Sequence, residues 1–182
     1  MQARGRRFDP QRRARILAAA LDVIAQKGVE GASMRGIAEA ADVPLGSITY
    51  HFTDREALLQ EAFELFLAET APMIVGALEA AATPSEMLDA VADLACGETW
   101  GSRKNLLLSY ELYAWASRRP ECSEVVERCL NGTRRALTRF FTKAEADAID
   151  ALFDGAAIHR AYDSTPPSRE ELRVMLGRIG GE

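Results

Sequence analysis

Residues 33–52 read SMRGIAEAADVPLGSITYHF, and their spacing predicts two short helices joined by a tight turn. Met34, Ile37, Ala38 and Ala41 recur at helical spacing and give the first helix one apolar face. Ser33 stands just ahead of it, where a hydroxyl caps the free N–H groups of the first turn. Asp42 follows the last apolar residue. A sharp turn needs a left-handed residue there, and Asp tolerates that better than most side chains. Pro44 suits a helix entry and not an interior. In the second helix, from Leu45 or Gly46, Ile48 and Phe52 lie four apart and pack inward together. Ser47, Thr49, Tyr50 and His51 are left mostly outside. That outer set has no acidic residue and several short hydrogen-bonding groups, which suits a helix entering the major groove of DNA. Gly46 removes a side chain from the approach. An ordinary helical hairpin with a polar surface has the same composition.

The stretch resembles the helix-turn-helix of the tetracycline-repressor (TetR) family of transcriptional regulators. The matching residues are Ile37-Ala38, Ala41, Val43, Gly46, Ile48, Tyr50-His51-Phe52 and Arg55-Glu56-Ala57-Leu58, with Arg15-Ile16-Leu17 through Lys27-Gly28 upstream. They cover about the first third of the chain. The chain departs from the family pattern at the usual turn glycine (Asp42), at a frequent basic residue (Leu45) and at a frequent aromatic (Thr49); the last two bear on which operator is read. The resemblance implies an all-α fold, a phosphate contact from Arg55 at the start of the fourth helix, and a dimeric repressor released from a palindromic operator on double-stranded DNA by a small-molecule effector. The candidate DNA-contacting set is Ser33, Arg35, Pro44, Leu45, Gly46, Ser47, Thr49, Tyr50, His51 and Arg55. Within it, Thr49 offers a methyl to thymine, and Tyr50 and His51 hold phosphates.

Charge is distributed to match. The net charge of −5 divides into +3 over residues 1–55 and −8 over the rest. The first fifteen residues hold six arginines against Asp9 alone. A cationic end faces phosphate and an acidic body faces away; a solubilising tail is the plainer reading of the same arginines. At 182 residues, 48% hydrophobic and 27% charged, the chain is long enough to bury a real core. No apolar run reaches bilayer-spanning length and the N-terminus lacks a signal core, so a cytoplasmic protein with no membrane partner is expected. Cys96, Cys122 and Cys129 form no C-x-x-C pair and argue against a disulfide framework; a redox-sensing thiol stays open. There is no nucleophile motif, no metal-ligand spacing and no phosphate-binding glycine loop. With only His51 and His159, neither catalysis nor a metal or cofactor is expected.

Three segments follow: a flexible basic arm over 1–9, a helix-turn-helix domain over 10–54, and an effector-binding and dimerisation domain over 55–182. The first helix runs from about Pro10 to Lys27, with Gly28 as its C-terminal cap. Asp54 caps a fourth helix that carries Leu58, Leu59, Phe63, Phe66 and Leu67 to about Ala71, where Pro72 ends or kinks it, and Met73 to Ala82 stays helix-like. Thr83-Pro84-Ser85-Glu86, Thr142-Lys143-Ala144-Glu145 and Ser168-Arg169-Glu170-Glu171 are capping boxes that open three later helices. Between them lie a loop over 97–102 with Trp100, a helix from Arg103 to Arg118, and one from Glu121 to Phe141. The reading is all-α, with about nine helices.

Two uses compete for the apolar faces of this C-terminal helical bundle. One is dimerisation through the last two long helices, using Ile149, Leu152, Phe153, Ala156, His159, Leu172 and Met175. Gly155 in mid-helix suggests a close helix–helix approach there. The plainer reading is that these residues complete the monomer's core. The other use is the effector cavity that the resemblance implies, for which Phe63, Phe66, Met87, Trp100, Tyr110, Tyr113 and Phe140 are the aromatic and methionine candidates. Each also fits ordinary core packing. Trp100, in a loop, is the candidate for a mobile wall. No concentrated charge among them points to an apolar or aromatic effector. A body that binds a protein in place of a small molecule is the alternative.

Overall fold

The computed structural model describes residues 11–97, 100–119 and 123–181. The basic arm, the proposed helix start at Pro10, and Cys122 lie outside them. Nine helices and no strand occur among the described residues: α1 (Arg12–Gly31), α2 (Met34–Ala40), α3 (Leu45–His51), α4 (Arg55–Glu79), α5 (Pro84–Cys96), α6 (Arg103–Ala116), α7 (Ser123–Leu137), α8 (Lys143–Tyr162) and α9 (Arg169–Gly180). They form two compact units, Met1–Leu65 and Phe66–Glu182, and α4 supplies residues to both.

In the first unit α1 packs on α2 and α2 on α3. Ile16, Leu17, Ala20, Leu21 and Ile24 of α1 are buried with Ile37, Ala38, Ala41, Ile48, Phe52, Leu58 and Leu59. Each fully buried aliphatic or aromatic side chain contributes about 1.5–3 kcal/mol, so this small core holds α2 and α3, two short helices that are individually marginal. Regular helical dihedrals stop at Gly28 (φ 70°, ψ 171°), and one further turn carries α1 to Gly31. Asp42 adopts φ 52°, the left-handed turn expected between the two short helices. Ser33 caps α2 by accepting the Gly36 N–H at 3.1 Å.

In the second unit α5 packs on α8 and α9, α8 on α9, and α6 and α7 on α8. The boxes at Thr142/Glu145 and Ser168/Glu171 are complete. At α5 only half the expected box forms. Thr83 Oγ1 accepts the Glu86 N–H at 3.2 Å, while the Glu86 carboxylate takes the Ala82 N–H at 2.8 Å instead of that of Thr83.

Pro72 does not end α4, which runs through it to Glu79. A proline in a helix interior costs about 3 kcal/mol. Burial of Phe66, Ile74 and Leu78 on its two sides offsets that cost at about 1.5–3 kcal/mol each. The far end of α4 is closed by Arg139, whose guanidinium donates to Glu79 O at 2.9 Å and to Ala81 O at 3.1 Å. The helix expected to run to Phe141 stops at Leu137, and Arg139 sits in the turn that follows.

Candidate functional site

Along α3 the packing divides the seven residues cleanly. Ile48 is fully buried, whereas Leu45 is 46% and Tyr50 84% exposed. Gly46 and Thr49 are also exposed, and Ser47 and His51 are half-buried. A Cβ built on Gly46 meets nothing within 4 Å, so the chain's own packing does not require glycine there. Thr49 Oγ1 donates to Gly46 O at 3.3 Å, which leaves its methyl as the free group. The Tyr50 and His51 rings meet edge-to-face at 5.1 Å. Thus the solvent-facing side of α3 carries Leu45, Gly46, Thr49 and Tyr50 and no carboxylate.

The flanking candidates differ in availability. Ser33 is spent on the α2 cap. Arg35 is held only by an i,i+4 pair to Glu39 at 3.6 Å between two strongly exposed side chains, an interaction worth a few tenths of a kcal/mol or about that. Arg55 has internal partners. It was expected on phosphate, but its Nε donates to Ala32 O at 2.9 Å, one Nη reaches Val29 O, and the other meets Glu56 Oε1 at 2.9 Å. Its nitrogens bond carbonyls where α1 ends, and clamp that end to the start of α4. Arg13 was read only as part of a basic run, and Arg15 also as part of the family match. Arg13 pairs with Glu61 and lies over the Phe52 ring at 5.4 Å; Arg15 Nε donates to Ala41 O at 3.2 Å.

In the second unit the aromatic candidates separate. Phe66, Trp100 and Phe153 stack in series, with centroids 6.5 and 6.2 Å apart and planes inclined 20° and 19°. Trp100 is only 9% exposed, so the residue expected as a mobile loop wall is a packed one. Tyr110 stacks with Tyr162 at 6.4 Å and lines a pocket of about 170 Å³ between α6 and α8, with Leu106, Leu107, Arg103 and Arg160. Met87 is fully buried on α5 and Tyr113 is 39% exposed. Phe140 lies under the Arg139 guanidinium at 5.2 Å. Phe63 belongs to the core of the first unit. A narrow crevice of about 10 Å³, room for one water, runs among α4, α5, α7 and α8 past Ile74, Thr133, Asp150 and Phe153.

A carboxylate row not read from the sequence runs along α8. Asp150, 3% exposed, accepts from Arg134 Nε at 2.8 Å. Burial pushes its carboxyl up, and the Arg134 bond works against that. Asp147 takes Lys143 at 2.6 Å and Arg134 at 3.6 Å. Asp154, one turn on, has no hydrogen bond or ion pair among the described residues. Burial, and then the Asp150 charge, push its carboxyl up to about 6. The spacing 147, 150, 154 marks one helix face, but only the placement of Arg134 reveals which carboxylate is left over.

The proposed dimer stripe also needs correction. Ile149, Phe153, Ala156 and Leu172 are at most 5% exposed; they pack inside their own unit, where α8 meets α5 and α9. Leu152 is half-buried and His159 exposed. Met175 is 41% exposed, as are Ile158 at 44%, Tyr162 at 73% and Val174 at 55%. Nothing lies within 4 Å of a Cβ built on Gly155, so no close helix approach occurs there within the chain.

A short helix pair with an acid-free outer face, at the head of a helical chain whose body holds stacked aromatics, defines a helix-turn-helix DNA-binding regulator. Residues 16–62 match the model of bacterial regulatory proteins of the tetR family, and residues 82–182 that of the tetracyclin repressor-like C-terminal domain. The chain belongs to the TetR family of transcriptional regulators. It is 41% identical to the crystal structure of a transcriptional regulator (SCO7518) from Streptomyces coelicolor A3(2), over 95% of this chain and 100% of that one, with a TM-score of 0.83. It is 34% identical to the multidrug binding protein EbrR complexed with ethidium, over 94% and 99% of the two chains, with a TM-score of 0.76. The nicotine-responsive transcriptional repressor HdnoR of Paenarthrobacter nicotinovorans is 24% identical over 93% of this chain and 96% of that protein. Among the described residues no helix is long and apolar enough to cross a membrane.

Proposed function

We propose that the chain is a homodimeric repressor that leaves a palindromic operator when a small aromatic molecule binds its C-terminal unit. The observation that carries the DNA half of this reading is the α3 face. Leu45, Gly46, Thr49 and Tyr50 stand outward without a carboxylate among them, and glycine at 46 answers no internal need. Thr49 and Tyr50 read bases and backbone, Ser47 and His51 support them at the groove edge, and Arg35 is free to leave Glu39 for phosphate. In this reading Arg55 positions α4 beneath the helix-turn-helix instead of touching DNA. Residues 10–54 form the reading head and 55–182 the effector and dimer domain.

The stacked Phe66, Trp100 and Phe153 support an aromatic effector, as does the complex of the relative EbrR with ethidium. Insertion of a flat molecule into this tier requires the rings to part, and α4, which bears Phe66, is the element that continues into the head. An effector shifts the chain between operator-binding and released states only by its differential affinity for them. The exposed apolar side chains Ile158, Tyr162, Val174 and Met175, with Leu152 and His159, are the dimer face. Two-fold pairing then presents two copies of α3 to half-sites a whole number of helical turns apart.

Selection of bound duplexes from random-sequence DNA tests this reading. Enrichment of an inverted repeat, bound by two protomers, is expected. Thr49→Ala is expected to relax preference at one or two positions of each half-site while leaving binding to random DNA within about twofold. Enrichment of no sequence, or of a single unrepeated site bound by one protomer, would overturn it.

A further inference from the structure

On α3, none of the residues from Leu45 to His51 is an arginine, lysine, asparagine, glutamine or carboxylate. Those are the side chains that read guanine, adenine and cytosine through hydrogen bonds at base edges in the major groove. What α3 turns outward instead is Leu45, Gly46, Thr49 and Tyr50. Successive residues advance about 100° round a helix axis, which puts Thr49 about 40° and Tyr50 about 140° from Leu45. Leu45 and Thr49 therefore share one narrow strip, one turn apart. Tyr50 stands at its edge, with its ring against that of His51.

Both residues of that strip present methyl groups. Leu45 is 46% exposed. The Thr49 hydroxyl is turned back to Gly46 O at 3.3 Å, so its methyl is the free group. Pro44, just ahead, is exposed too and brings no hydrogen-bonding side chain. A single exposed leucine is ordinary on any protein surface. Here it belongs to a strip of apolar ends on a helix without acids, beside a glycine whose Cβ would meet nothing within 4 Å. A side chain as short as threonine reaches a base edge only where the backbone comes close, and Gly46 permits that approach.

We infer that Leu45 and Thr49 read thymine by its C5-methyl group, so that each operator half-site holds two thymines under α3. The inference rests on the DNA-reading role proposed above for α3 and adds the base feature that is read. Thymine alone among the four bases carries a methyl in the major groove, and apolar side chains meet it there. Each methyl so buried is worth about fourfold in affinity. The two residues lie about 6 Å apart along the helix axis, and base pairs follow at about 3.4 Å. The two thymines are therefore one or two base pairs apart, on either strand. Tyr50 and Arg35 hold the backbone and set the register without choosing the base.

Methyl deletion in the DNA tests this. Duplexes carrying the inverted repeat enriched from random-sequence DNA are remade with uracil for each thymine in turn, in both half-sites at once, which removes the methyl and keeps the base pairing. The full-length protein is expected to bind about tenfold or more weakly when either thymine under α3 is replaced, and within about twofold when any other is. With cytosine in place of one of these thymines, 5-methylcytosine is expected to bind about fourfold or more tightly than cytosine itself. Leu45→Ala is expected to bind thymine and uracil equally at one of the two positions and to keep the uracil penalty at the other. Thr49→Ser, which keeps the hydroxyl, is expected to do the converse. Both variants should melt within about 2 °C of wild type, because neither side chain is buried. An enriched repeat bound equally with thymine and with uracil, or one with no thymine under α3, would overturn the methyl reading while leaving α3 a DNA-binding helix. A full uracil penalty at both positions in Leu45→Ala would remove Leu45 from it. Enrichment of no sequence would defeat the DNA-reading role itself, and this inference with it.

Discussion

Asp154→Asn is expected to stabilise the free protein, an outcome opposite to that of most buried polar substitutions. The carboxyl is raised from 3.8 to about 6. The folded chain therefore holds a proton there that the unfolded chain has lost, over a window from about pH 4 to pH 6. In that window the folded state binds more protons, so stability falls as pH rises through it, and above about pH 6 the full cost of the buried charge is present. About two pH units correspond to about 3 kcal/mol at most. Partial exposure of the carboxylate reduces this to about 1–2 kcal/mol. Asparagine keeps the shape and removes the charge. In urea denaturation at one fixed protomer concentration, which holds any dimer contribution constant, the variant is expected to be about 1–2 kcal/mol more stable than wild type at pH 8. The gap should close at pH 4. Glu145, Glu171 and Asp147 have lowered carboxyl values and impose the opposite slope at lower pH, but they do so in both proteins and cancel in the difference. A variant less stable than wild type at pH 8, or an equal gap at pH 4 and pH 8, would show that Asp154 is satisfied in the free protein and refute the reasoning.

Other outcomes follow from single contacts. Arg139→Ala removes donors from Glu79 and Ala81 at the end of α4 and is expected to cost about 1–2 kcal/mol, with faster amide exchange over the last turn of α4; Arg139→Lys, which cannot fork, should recover less than half. Arg55→Lys is expected to lower stability by about 1–2 kcal/mol through the lost bonds to Val29 and Ala32; unchanged stability with a shallower salt dependence of DNA binding would restore the phosphate role. Gly28→Ala is expected to cost about 1–2 kcal/mol, because φ 70° suits glycine alone among unstrained residues, and thermal melting checks it.

Local signals were readable wherever the physics is local. The Thr142/Glu145 and Ser168/Glu171 boxes form as their spacing demands, because both partners lie within one turn. Asp42 takes the left-handed turn because the chain must reverse between Ala41 and Val43. The inward pair Ile48 and Phe52 leaves Thr49 and Tyr50 outside by the geometry of a helix. What escaped was set by distant partners. The α8 stripe announced burial but not its cause, so Ile149 and Phe153 were assigned to a second copy when their own unit already buries them. Pro72 carries a local penalty that burial along the rest of α4 outweighs. The internal partners of Arg55 escaped because the carbonyls of Val29 and Ala32, more than twenty residues away, are invisible in a list of residue types. Asp154 was passed over because its significance depends on Arg134 being taken by Asp150.

Transcriptional control through the α3 face is put to its sharpest trial by a salt series of binding between the purified protein and the DNA just upstream of its own gene, set against random duplex of equal length. Tight, preferential binding by two protomers is expected, weakening as a power of salt concentration as phosphate contacts demand. Equal weak binding to both duplexes would exclude self-regulation. No binding to either at low salt, by protein freed of bound small molecules, would contradict the assignment of α3 as a DNA-reading helix.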